Sequence, residues 1–281
     1  MRTLSKSIFG LFTLMAMITF NVHAKSQVSD AQVNELLQKS GSARALESLP
    51  MQMSGISQQM LMSTGDQKAA EFMSGALDKT LDPSALISDL KSHIKNNVTA
   101  AQMNDILGWL NTDLAGKIVS AELQATDPQF QQLFLEYMAQ LQSTPPSQER
   151  TQAVVAFVKN SQMVELTTNM MFSMMKNMFD GFKSLNPEKP QLGDMLDAQL
   201  EQMKTSMKPM IEQQIVMSSY FIYKDISEQE LAEYGNFYQS PTGKVYIETM
   251  MGGIAEAMGN WGQALVTHIH EQVSQTQEQK S

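Results

Sequence analysis

The stretch Ile226-Ser227-Glu228-Gln229-Glu230-Leu231, running on through Phe237-Tyr238-Gln239-Ser240-Pro241-Thr242-Gly243-Lys244, decides the fold of this 281-residue chain. Ser227-x-x-Glu230 is a capping box, in which the hydroxyl and the N3 carboxylate satisfy backbone donors left open at a helix start. Tyr234, Phe237 and Tyr238 follow at i, i+3 and i+4, which is one face of the helix so begun. Ser240 then offers a cap to a second helix, Pro241 sets its first turn where an N–H is dispensable, and Gly243 lets backbones approach closely. The whole reads as a corner between two helices. An earlier stretch repeats it: Val98-Thr99-Ala100-Ala101-Gln102-Met103 parallels Ile226 to Leu231, Trp109-Leu110 parallels Phe237-Tyr238, and Gly116-Lys117-Ile118 parallels Gly243-Lys244-Val245. The numbering shift is 128 up to Leu110 and 127 beyond it, as if one residue were gained or lost in the turn, with Asp113 opposite Ser240 and Leu114 opposite Pro241.

Working outward, the chain is expected to be all-α, a helical bundle built from two diverged copies of one helical unit. Ser143-Thr144-Pro145-Pro146-Ser147 marks a boundary, giving units 25–144 and 145–281 behind a leader, 1–24. Ser29-x-x-Gln32 and Thr99-x-x-Gln102 are further capping boxes, and Asp127-Pro128 pairs an N-cap acceptor with Pro at N1. Leu46, Leu49, Met53, Ile56 and Met60 recur at alternating spacings of 3 and 4, a helical seam that Pro50 should kink or restart. No segment sustains the alternation of a strand bounded by hairpin turns. Gly252, Gly253, Gly259 and Gly262 lie on a late helix, where each glycine costs ~1 kcal/mol against alanine, so close helix contact or a hinge must offset them.

The corner at Ile226 to Lys244 resembles the signature of a bacterial family, the domain of unknown function 2059, whose members carry an acidic helix, a Phe-Tyr pair and then Ser-Pro-x-Gly-Lys. The match is close over about twenty residues of the second half and weak in the first, where Trp109-Leu110 and Leu114 stand in the places of Phe237-Tyr238 and Pro241. The resemblance implies a small helical domain, usually exported, brings no established activity and leaves function open.

Export is also readable from the residues. Arg2 and Lys6 precede an apolar run from Ile8 to Phe20 that is short for a membrane span, and Val22-His23-Ala24 places small residues at −3 and −1 of a cleavage site ahead of Lys25. The expectation is a soluble periplasmic protein without stable membrane insertion. With no cysteine there is no disulfide framework, thiolate zinc site or thiol nucleophile. A net charge of −9 argues against a nucleic-acid surface and against anionic lipid headgroups.

The candidate ligand or interface residues are Tyr234, Phe237, Tyr238, Ser240, Gly243 and Lys244 at the corner, and Met170, Met174 and Met178 on a broad apolar helix face. Five of the six tyrosines fall between Tyr220 and Tyr246, which suggests an aromatic-walled cleft. The start of the helix at Ser240, with Gly243 and Lys244, offers either an anion site or simply a well-capped turn. The 24 methionines suit a groove for apolar or peptide ligands, a copper(I) site, or plain core packing. His268 and His270 are two apart and point to different helix faces, and His93 is solitary, so no metal ligand set is assigned. No P-loop, dinucleotide fingerprint, zincin helix or nucleophile elbow occurs. Glu228, Glu230 and Glu233 read as a solvated helix face.

The leading functional reading is a non-catalytic binding or accessory protein without a cofactor, its partner an unidentified protein, peptide or apolar ligand held in a groove of Met and aromatic side chains. Two alternatives stand beside it. One is an envelope protein, structural or stress-related, that self-associates through amphipathic helices. The other is a hydrolase using carboxylates or His93.

Overall fold

The computed structural model describes residues 28–127, 129–185 and 190–278, with the side chains of 56–61, 63–64, 178, 182, 185, 190–194 and 276–278 outside that description. The expected leader, residues 1–24, and Pro128 of the Asp127-Pro128 signal also lie outside the described residues. Among the described residues the chain is all-α, with no strand. The helices are α1 (Asp30–Lys39), α2 (Ser42–Glu47), α3 (Leu49–Thr64), α4 (Gln67–Thr80), α5 (Pro83–Asn97), α6 (Ala100–Leu110), α7 (Asp113–Leu123), α8 (Phe130–Ser143), α9 (Gln148–Asn160), α10 (Met163–Leu185), α11 (Pro190–Ile222), α12 (Glu228–Gln239) and α13 (Pro241–Glu278). A 3-10 turn, Gln124–Thr126, follows α7.

Local chemistry accounts for the helix starts. All three capping boxes form, at Ser29, Thr99 and Ser227. Pro50 occupies the second position of α3, where the helix restarts after α2. At the second half of each corner the structure departs from the sequence alignment. Thr112 caps α7, its Oγ1 accepting from Ala115 N at 3.2 Å, as Ser240 Oγ accepts from Gly243 N at 3.0 Å. Thr99 and Ser227, and Thr112 and Ser240, are both 128 apart, so the two pairs of caps keep one spacing. Asp113 is a first-turn residue of α7, and Thr112 holds the cap position that Ser240 holds before α13. Thr112→Ala should cost ~1 kcal/mol by loss of the cap, and Asp113→Ala clearly less, in parallel urea melts. A larger loss at Asp113 would restore the shift of 127.

Two buried clusters make the core. One gathers Val33, Leu36, Leu37, Leu90, Ile94, Met103 and Ile106 from α1, α5 and α6 with Met250, Ala257, Trp261 and Leu265 of α13. The other gathers Ile118, Val154, Phe157, Tyr223, Leu231, Tyr234, Phe237 and Tyr238 from α7, α9, α12 and the turn after α11. Burying each large apolar side chain contributes ~1.5–3 kcal/mol. Trp109 and Tyr246, half-buried, pack against both clusters. Helix α13 runs past α12, α6, α5, α4 and α10, so residues of the second expected unit complete the core of the first. At Gly253 it approaches α5 closely: a Cβ there would stand 2.5 Å from Leu90 Cδ1. Close helix contact therefore explains that glycine.

Candidate functional site

The tyrosines of the second half converge on a carboxylate from the first. Glu122, near the end of α7, accepts at Oε1 from Tyr223 Oη at 2.8 Å and from Tyr234 Oη at 2.9 Å. Tyr234 and Tyr238 hydroxyls lie 2.6 Å apart. Because Tyr234 spends its one proton on Glu122, Tyr238 must donate to Tyr234, and the order Tyr238, Tyr234, Glu122 is set. Glu122 is half-buried as a residue, but its carboxyl end abuts the hydroxyls of two buried tyrosines. Desolvation there raises its pKa, outweighing the two tyrosine hydrogen bonds that oppose the rise. Burial, reinforced by the Glu122 charge, likewise pushes Tyr223, Tyr234 and Tyr238 well above the ordinary tyrosine range.

Rings close the surroundings. Trp109 stacks on Phe237 at 4.2 Å between centroids, and Phe157 stacks on Tyr234 at 5.2 Å. Arg150 holds the turn before α12, donating to Tyr223 O at 2.5 Å and Ile226 O at 2.6 Å. Tyr234, Phe237 and Tyr238 are thus buried, at 5–7% exposure. This corrects the expected aromatic-walled cleft. The i, i+3, i+4 face of α12 is its core face, packed on α9 and α6, and offers no ring to an outside ligand.

The corner is closed in the same way. Gly243 N–H is taken by Ser240 Oγ and Lys244 N–H by Ser240 O, while Lys244 is exposed. Ser240, Gly243 and Lys244 thus make a capped turn in which Ser240 takes the Gly243 and Lys244 N–H groups. Nor is the acidic face of α12 merely solvated. Glu230 binds Lys117 Nζ of α7 at 2.9 Å through both oxygens. Its pKa falls to about 2, chiefly through the Ser227 backbone N–H and then through Lys117.

Met170 and Met174 are half-buried on α10, whose neighbours are α13, α11 and α9; the side chain of Met178 lies outside the described residues. At the base of α10 is a feature the sequence did not single out. A cleft of about 350 Å³ lies between α9, α10 and α11, its apolar wall made by Val155, Val158, Val164 and Val216. Lys159, Gln162, Glu165, Lys208 and Glu212 form the polar rim. Val155 is 48% exposed, and Lys208 Nζ binds Glu165 at 2.6 Å. Gln162, in the α9–α10 turn, has φ 55°, the one positive φ outside glycine among the described residues. Elsewhere, His93 Nδ1 contacts Glu256 Oε2 at 2.6 Å across α5 and α13. Among the described residues no three His, Asp or Glu side chains gather as a metal site, and no helix is long and apolar enough to cross a membrane.

No protein-family model, curated protein or solved structure matches the chain.

Proposed function

We propose that this chain is a non-catalytic, exported helical binding or accessory protein of the periplasm, a diverged member of the domain of unknown function 2059 family built on a duplicated helix corner. Its ligand site is the valine-walled cleft at the base of α10, and the half-buried Met170 and Met174 lie further along the same helix. The cleft carries this reading: it combines a concave apolar wall, an exposed valine and a rim of charges, the composition by which small ligands are bound and oriented. The constant shift of 128 between the two pairs of caps supports the duplication. The test is native mass spectrometry of the protein taken from the periplasmic fraction. It should begin at Lys25 and carry an excess mass that denaturation removes and that Val155→Trp, filling the cleft from an exposed position, abolishes. A bare mass in both proteins would overturn the ligand site.

A second reading, self-association in the envelope, rests on α8. None of its residues is buried, and Leu133 and Leu135 are 46% and 58% exposed. Sedimentation that depends on concentration, and is abolished by Leu135→Glu, would favour it.

A further inference from the structure

The charges around the valine-walled cleft narrow what it can hold. Lys208 and Glu165 neutralise one another. Lys159, on α9, and Glu212, on α11, line the same cleft, and neither side chain has an ion-pair or hydrogen-bond partner among the described residues. A cation on one wall and an anion on the other thus face solvent and not a protein partner, with four valines of α9, α10 and α11 lining the same cleft. An apolar acid would satisfy Lys159 and set its tail beside an unmatched Glu212. An apolar amine would do the reverse. A polar zwitterion would leave the valines wet. One class answers all three features: a zwitterion with an apolar side chain.

We propose that the cleft binds a free apolar amino acid or a short apolar peptide, its carboxylate at Lys159, its ammonium at Glu212 and its side chain against Val155, Val158, Val164 and Val216. The proposal rests on the reading of the cleft as the ligand site. Gln162 lines the same cleft in a left-handed conformation that glycine would adopt without strain, so the turn at the rim is held at a cost in backbone energy. Both charged ends are open to water, so each contributes modestly, and the valines supply the shared part of the affinity.

The experiment is calorimetric titration of the mature chain with L-leucine, L-leucyl-L-leucine, 4-methylpentanoate and 3-methylbutylamine. One of the two zwitterions should saturate the protein, with both half-ligands about 5-fold or more weaker. Whichever of leucine and leucyl-leucine binds more tightly names the source as free amino acid or peptide. Lys159→Met should erase the advantage of leucine over 3-methylbutylamine, and Glu212→Gln its advantage over 4-methylpentanoate. Both positions are exposed on helices, so the fold should survive, as circular dichroism will check. Equal binding of leucine and 4-methylpentanoate would overturn the zwitterion and leave the cleft a site for apolar acids. If none of the four binds while Val155→Trp still abolishes a periplasmic excess mass, the ligand class is wrong and the cleft reading stands. If that excess mass is also absent, both fall.

Discussion

Gly243→Ala is expected to destabilise the chain by ~3 kcal/mol or more, while Gly116→Ala leaves it unchanged or slightly more stable. The contrast follows from what a methyl group would meet. At Gly243 a Cβ would stand 1.9 Å from Phe237 O and 2.6 Å from Phe237 C. These are backbone atoms in the last turn of α12, so no side chain can swing aside and the corner itself must open. The corner is this tight because Ser240 alone is both the last cap of α12 and the first cap of α13. The first corner has an extra residue to turn with, Asn111 closing α6 and Thr112 starting α7. At the third position of α7, as Gly243 is at the third of α13, it carries a buried alanine, Ala115. Gly116, paired with Gly243 by sequence alone, has open space around its Cβ direction. A methyl there gains helix propensity, ~0.5–1 kcal/mol, and meets nothing. Urea melts of the three proteins decide the matter. Equal losses at the two glycines would mean that the Gly-Lys pairing, and not the caps, sets the register.

The same pair of glycines shows how far the sequence can be read. Helix starts are local, made by side chains that reach their own backbone, so Ser29, Thr99 and Ser227 were legible as caps and the all-α fold with them. The restart at Pro50 was legible for the same reason. A repeated Gly-Lys dipeptide is equally local but has no physical tie to the cap, and it displaced Thr112 in favour of Asp113. Periodicity showed that Tyr234, Phe237 and Tyr238 share a face. Whether that face is covered depends on Phe157 and Trp109, which lie far away in the chain. Glu122 gave no signal, being one of many acids and more than a hundred residues from the tyrosines that donate to it. The valine-walled cleft was hidden for the opposite reason. It is space between three helices, and only the left-handed turn at Gln162, a residue with no preference for that conformation, marks its edge.

Glu122 yields the second large effect, and the sign of its pH dependence follows from its raised pKa. In the unfolded chain the carboxyl titrates near 4.5; in the fold, desolvation holds the proton to higher pH. Below 4.5 both states are protonated and the group costs nothing. As pH rises from there through the folded value, the native state binds more protons than the unfolded one, so stability falls, and above that value the full penalty remains. Glu122→Gln keeps an acceptor of the same shape for Tyr223 and Tyr234 but cannot ionise. It should match or exceed the native protein in stability at pH 7 and remove the fall in stability above pH 4.5 that Glu122 contributes. Glu122→Ala removes the acceptor instead. Two buried tyrosine hydroxyls then lose their partner at ~1–3 kcal/mol each, and part of that returns if water enters, so a net loss of ~3 kcal/mol is expected at pH 7. Tyr234→Phe should fall between the two variants, because Tyr238 loses its acceptor while Tyr223 keeps Glu122. Denaturant melts at pH 4 and pH 7 separate these terms. Were Glu122→Gln to lose as much as Glu122→Ala at pH 7, the negative charge itself would be what the tyrosines stabilise. The folded pKa would then have to lie below 4.5, and the network would gain stability with rising pH rather than lose it.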